Sequence, residues 1–253
     1  MSSEGGPLMA VCMVNFWGAA LQKQCSMNLI LPESAKVRKP YCLLIQLHGL
    51  SDDHTIWLRR TSIDRYVAEL PLVVVMPDGG RSFYCDAVDG PAYERHIMKD
   101  VLGFVEKYFP VRRDRSGRAI GGLSMGGYGA MKLALKYPRV FASVVSHSSA
   151  FGFGHDPGRG ENAEWKRILG DAVAGGKDDL FALAEKLDPR QAPAIRFDCG
   201  KEDGLFAGSR RFHRHLASLG IRHEYREYPG AHTWAYWDEH VQEALRFHMK
   251  HLK

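Results

Sequence analysis

Ser124 lies in Gly122-Leu123-Ser124-Met125-Gly126-Gly127. A serine flanked by glycines two residues away on each side suits a sharp strand-to-helix turn that lifts the side chain clear of the backbone. The turn forces the serine into strained backbone angles, and a side chain at Gly122 or Gly126 would collide with neighbouring chain. The helix beginning at the serine would aim N–H groups and its positive dipole end at developing negative charge. A serine hydroxyl is a weak nucleophile near neutral pH. It needs a histidine as base, and the histidine needs a carboxylate to fix its tautomer. The chemistry expected is therefore acyl transfer through a covalent serine intermediate.

The partners must be chosen from twelve histidines and many carboxylates. In a strand–turn–helix site of this kind the acid and then the histidine follow the serine along the chain. His213, His215, His240, His248 and His251 fall on helical stretches and read as surface residues. His223 opens a strand, and His147 suits a packing role. His232, in Tyr228-Pro229-Gly230-Ala231-His232-Thr233-Trp234, follows the last strand and precedes the last helix. That loop lies at the carboxyl edge of the sheet, where catalytic loops collect. The acid belongs in the preceding loop, Gly200-Lys201-Glu202-Asp203-Gly204. Asp203 is preferred at its tip; Glu202 qualifies chemically, and Asp198 lies inside the strand. A tetrahedral intermediate also needs two N–H donors. Met125, after the nucleophile, is one. Leu50 in Leu47-His48-Gly49-Leu50 is the other, with Gly49 as the alternative; His48 reads as structural. Trp57, Phe83, Tyr84, Phe151, Trp165, Phe206 and Trp234 are candidate site aromatics. Trp57, Tyr84 and Trp234 are preferred because they lie near the two loops.

These residues need a scaffold of strands that end in loops on one edge. Short apolar or β-branched runs at 11–16, 25–31, 41–47, 72–76, 118–121, 142–146, 194–199 and 223–228 read as eight strands. Several are apolar at every position, as strands covered on both faces are. Helical spacing marks 97–108, 125–136 (stopped by Pro138), 209–219 (ended by Gly220) and 238–251. This alternation predicts an α/β fold with a mostly parallel central sheet flanked by helices. The stretch 151–189 is Gly-rich and weakly helical at 161–169 and 178–187. It reads as a small insertion and partial lid, with 1–253 forming one domain.

Composition excludes other classes. The 253 residues carry 34 basic and 29 acidic side chains, a net charge of +5, with 45% hydrophobic and 25% charged residues. That is a globular balance, unlike a disordered chain. The basic cluster Arg112, Arg113, Arg115 and Arg118 is broken by Asp114 and reads as a solvated loop, so no nucleic-acid partner is expected. The five cysteines are widely spaced without a CxxC pair, which argues against zinc or thiol redox chemistry and for a reducing cytoplasm. The apolar stretch 8–21 has no preceding positive charge and reads as strand and turn, and no segment suits a membrane span.

Together these segments resemble the Putative esterase family of α/β-hydrolases, which includes esterase D-type enzymes, feruloyl and acetyl xylan esterases, tributyrin esterases and mycolyltransferases. The resemblance runs from Asn28-Leu29-Ile30-Leu31-Pro32 to the final helix. It rests on Leu47-His48-Gly49, Met76-Pro77-Asp78-Gly79, Tyr93-Glu94, the Ser124 motif, 200–203 and Gly230-Ala231-His232-Thr233-Trp234. The short tributyrin esterase-like members match best. The resemblance implies Ser124, Asp203 and His232 as a triad, Leu50 and Met125 as an oxyanion hole, and hydrolysis of short acyl or aryl esters without metal or cofactor. The segment Leu50-Ser51-Asp52-Asp53-His54 departs from the longer one usual in S-formylglutathione hydrolases. That substrate, and the acetyl or feruloyl carbohydrate esters of exported relatives, rank behind a simple ester. An acyltransferase and a non-catalytic binding module are the alternatives of another class. The partner expected is a small-molecule ester, with no membrane; a homo-oligomer is compatible with the sequence.

Overall fold

The computed structural model describes residues 9–33, 37–156, 162–171 and 174–253. Its strands are β1 (Met9–Gly18), β2 (Lys23–Pro32), β3 (Cys42–Leu47), β4 (Leu72–Pro77), β5 (Arg118–Leu123), β6 (Ser143–His147), β7 (Ala194–Gly200) and β8 (His223–Tyr228). They form one sheet in the order β1-β2-β4-β3-β5-β6-β7-β8. The β1–β2 hairpin and the β2–β4 pair are antiparallel; β4, β3 and β5 through β8 run parallel. Each of the eight expected strands falls on one of these elements. The 8–21 stretch is β1 and its turn, with Leu8 outside the described residues.

Side-chain parity explains the continuous apolar runs. Leu43, Ile45, Val73, Val75 and Ile120 face one core, while Leu44, Leu72, Val74, Met76 and Ala119 face another. Successive strand residues point to opposite faces, so a strand covered on both sides must be apolar at both parities. The short α3 (Tyr93–Arg95) leads into a π-helical turn (His96–Val101), which with α4 (Leu102–Tyr108), α5 (Ser124–Lys136), α6 (Ala163–Leu169), α7 (Leu180–Glu185) and α8 (Phe206–Ser218) covers the first core. The second is covered by α1 (Ile56–Arg60), α2 (Ile63–Val67) and α9 (Trp234–His251).

The insertion contributes α6 (Ala163–Leu169) and α7; Glu161, placed in the expected 161–169 helix, lies outside the described residues. A bidentate Arg81–Glu164 pair at 2.6 and 2.8 Å ties α6 to the loop after β4. In the arginine-rich stretch, Arg112 pairs with Asp114, Arg118 with Glu106, and Arg115 donates to the Pro138 carbonyl. No described helix is long and apolar enough to cross a membrane.

Candidate active site

Ser124 is the first residue of α5 and has φ +53°. That left-handed angle on a non-glycine residue costs on the order of 1–3 kcal/mol, and close packing must hold it. The packing is visible at the two flanking glycines. A Cβ on Gly122 would lie 2.6 Å from the Gly126 carbonyl, and one on Gly126 would lie 2.5 Å from the His48 carbonyl oxygen. Both positions therefore need glycine, and the start of α5 is pressed onto the end of β3. Met125 is buried in the first helical turn, whose N–H groups have no intrahelical acceptor.

The structure brings His232 and Asp203 to this serine. His232 Nε2 is 3.0 Å from Ser124 Oγ, and His232 Nδ1 is 2.8 Å from Asp203 Oδ2. These partners assign Nδ1–H as donor to the carboxylate, leaving Nε2 as an acceptor facing the Ser124 hydroxyl. The Asp203 side chain is only 1% exposed and that of His232 37%, so the carboxylate is enclosed while the imidazole faces solvent. Burial pushes the Asp203 carboxyl upward. The hydrogen bonds from His232 and from the Leu205 N–H outweigh it and hold the group below its ordinary value, as the anion.

The acid and histidine loops are locked together. A Cβ on Gly200 would lie 2.0 Å from the Gly230 oxygen. Lys201 N–H donates to the Tyr228 carbonyl at 2.8 Å, and Glu202 N–H to that of Gly230 at 3.1 Å. The Glu202 carboxylate takes the Gly230 N–H. Glu202, the alternative acid, thus braces the histidine loop rather than touching the ring. Asp198 is used elsewhere: fully buried, it accepts from His147 Nδ1 at 2.9 Å and from the Tyr236 hydroxyl at 2.9 Å. The Tyr236 ring lies under Gly230, 2.7 Å from where a Cβ would stand. Sequence reasoning left Tyr236 out. Its one available signal was Thr233, the N-cap of α9, which starts that helix four residues earlier than the periodicity implies.

The loop after β3 closes the other side. Leu50 is partly buried. The Asp52 carboxylate faces the Gly49 amide. The His48 ring bridges Gly49 O (2.8 Å from Nδ1) and the Gly79 N–H (2.8 Å from Nε2). Trp57 and Tyr84, expected to line the cleft, are fully buried behind this loop. Each spends its polar atom on a loop carbonyl: Trp57 Nε1 on Leu47 at 3.1 Å, Tyr84 Oη on His48 at 3.0 Å. Buried aromatic N–H and O–H groups require such partners. Trp234, half-buried, packs edge-on against Trp57 and Trp237, and Trp237 meets the His232 ring edge-on at 4.9 Å. No group of three or more His, Cys, Asp or Glu that could hold a metal ion occurs among the described residues.

A sheet of this order, with a strained serine at the β5–α5 turn, defines a serine hydrolase of the α/β-hydrolase fold. Residues 18–248 match the model of the family described as Putative esterase, and the chain belongs to that family. It is an enzyme that hydrolyses carboxylic esters. It is similar to an acetyl esterase of Caldicellulosiruptor saccharolyticus, 29% identical over 263 residues that cover 96% of this chain and 99% of the relative. Among solved structures it is similar to the substrate-bound fluorophosphonate-binding serine hydrolase F of Staphylococcus aureus, with TM-score 0.86, 31% identity and 96% and 99% of the two chains covered. A structure described as S-formylglutathione hydrolase from Staphylococcus aureus superposes with TM-score 0.85, 31% identity and 95% and 99% covered.

Proposed function

We propose that the chain hydrolyses short-chain acyl or aryl esters through a Ser124–His232–Asp203 triad and an acyl-enzyme. Ser124 Oγ attacks the ester carbonyl carbon while His232 Nε2 takes its proton. The N–H groups of Leu50 and Met125 hold the oxyanion, and Asp203 stabilises the imidazolium. The C–O bond breaks and the alcohol leaves with the proton from His232. Water, activated by the same ring, then releases the acid. The observation that carries this reading is the continuous hydrogen-bond chain, at 3.0 and 2.8 Å, from a serine at positive φ to an enclosed carboxylate. One catalytic domain over 1–253 is supported by the eight strands of the described residues joining one sheet. A cytoplasmic setting fits the five free thiols.

p-Nitrophenyl esters from acetate to palmitate, assayed with wild type beside Ser124→Ala, test the reading. Turnover is expected on the short esters and should fall by about four or more orders of magnitude in the variant. No turnover, or turnover that survives the substitution, refutes it and favours acceptor-dependent transfer or a binding role. A second reading, thioester hydrolysis on glutathione, is favoured by the 31% identity to the Staphylococcus aureus structure of that description. S-formylglutathione belongs in the same assay, and a kcat/KM well above that of the acetate ester would establish it.

A further inference from the structure

Residues 82–85 hold two consecutive non-glycine residues at positive φ, Phe83 (+49°) and Tyr84 (+55°), both fully enclosed. Such a pair persists only where surrounding contacts over-determine it. The contacts converge on Tyr84. Its N–H donates to Ser82 Oγ at 2.9 Å, and Ser82 Oγ donates to the Gly79 carbonyl at 2.6 Å. Its carbonyl accepts from Lys132 Nζ at 2.7 Å. Its ring is wedged between Gly79 and Gly129, where added Cβ atoms would stand 2.3 and 2.4 Å from ring carbons. Lys132 is itself completely buried in α5, between Glu94 Oε2 at 2.9 Å and Asp178 Oδ1 at 3.3 Å. A charged lysine in a core costs several kcal/mol unless paired, and nothing in the ester chemistry calls on it.

We propose that Tyr84 is a positioning residue for the oxyanion loop: its hydroxyl, anchored from behind by Lys132, holds the His48 carbonyl and so sets the tilt of the His48–Gly49 peptide. Peptides are planar, so fixing the His48 carbonyl fixes the plane of the Gly49 N–H, which faces Asp52, and with it the point from which the Gly49–Leu50 peptide departs. Gly79, pressed against the Tyr84 ring, grips the His48 ring by its N–H, and His48 Nδ1 holds the Gly49 carbonyl. That carbonyl shares its peptide plane with the Leu50 N–H. Oxyanion donors work only within a few tenths of an ångström of the place where charge develops. A strained, buried anchor that cannot drift serves that requirement.

The inference rests on Leu50 as an oxyanion donor, and the test separates the two. Tyr84→Phe removes only the hydroxyl. It is expected to lower kcat for p-nitrophenyl acetate by about tenfold or more with KM within twofold. It should weaken binding of an aryl trifluoromethyl ketone, which forms a hemiketal oxyanion on Ser124, by the same factor. A variant that merely loosens the fold does not lose transition-state-analogue affinity selectively. Tyr137→Phe is the control: Tyr137 Oη donates to Glu94 Oε1 at 2.6 Å in the same buried cluster but does not reach the loop. It should lower the unfolding temperature and leave both kinetic quantities unchanged. Folded Tyr84→Phe with wild-type kcat and analogue affinity overturns the proposal. Loss of both quantities in Tyr137→Phe as well overturns it too, since the effect would then not run through the Tyr84 hydroxyl. Activity that survives Ser124→Ala would instead overturn the triad reading.

Discussion

Replacing Gly126 by alanine places one carbon where the structure has no room. The new Cβ would stand 2.5 Å from the His48 oxygen, 2.6 Å from the Leu47 oxygen and 2.7 Å from the Leu47 carbonyl carbon. All three are backbone atoms, so no side-chain rotation relieves the overlap. Ordinary contact begins near 3.4 Å, so α5 and the end of β3 must separate by roughly 1 Å. Overpacking of this kind costs about 1–3 kcal/mol, or several degrees in Tm for a chain of this length. The larger effect is on rate. The displaced atoms lead directly into Gly49 and Leu50 on one side and Ser124 on the other, and a 1 Å misplacement costs about a hundredfold. Gly103→Ala is the internal control. It lies exposed on α4 with nothing within 4 Å of its added carbon, and should stabilise by about 0.5–1 kcal/mol with unchanged turnover. Calorimetry and kcat/KM on p-nitrophenyl acetate measure both variants. A folded Gly126→Ala protein within a few-fold of wild-type kcat/KM would refute the claim that the β3–α5 contact aligns donor and nucleophile.

Glu94 predicts an acid-sensitive stability. Burial opposes its charge, but Lys132, Lys136 and Tyr137 hold the carboxyl down at about 2 against an ordinary 4.5. Because the folded value is depressed, the contribution is complete above about pH 4.5 and is lost as pH falls toward 2. It amounts to about 3 kcal/mol. Urea unfolding at pH 7, 4 and 3 should show the gap between wild type and Glu94→Gln closing with acid; a gap independent of pH would exclude the linkage. Glu202→Ala removes the acceptor for the Gly230 N–H and should lower kcat about tenfold with KM unchanged. Glu202→Gln, which keeps an acceptor oxygen, should recover most of it in steady-state kinetics, and equal losses in the two variants would argue against the brace.

Strand positions were legible because parallel strands covered on both faces are apolar at both parities, as in Leu72–Pro77 and, apart from Gln46, Cys42–Leu47. α1 and α2 were not, since five residues give too little periodicity to separate a helix from a loop. The start of α9 was hidden because Trp234, Tyr236 and Trp237 pack against tertiary neighbours rather than forming a simple amphipathic stripe. Aromatics misled for a related reason. Trp57 and Tyr84 sit near the site in sequence, but only the packed structure turns their polar atoms inward to the carbonyls of Leu47 and His48.

By itself the sequence determined the chemical parts and their order: a serine between glycines that a sharp turn requires, then a carboxylate loop, then a histidine loop, each after a strand. These are local properties, written in residue type and spacing. Tertiary structure decided among equals. Glu202, Asp203 and Asp198 are all carboxylates within six residues of one another, and no local rule ranks them decisively. The backing of Gly200 against Gly230 turns Asp203 toward His232, sends Glu202 to a backbone amide, and leaves Asp198 with His147 and Tyr236. Which carboxylate meets the imidazole depends on contacts between loops far apart in the chain, and only the closed sheet brings those loops together.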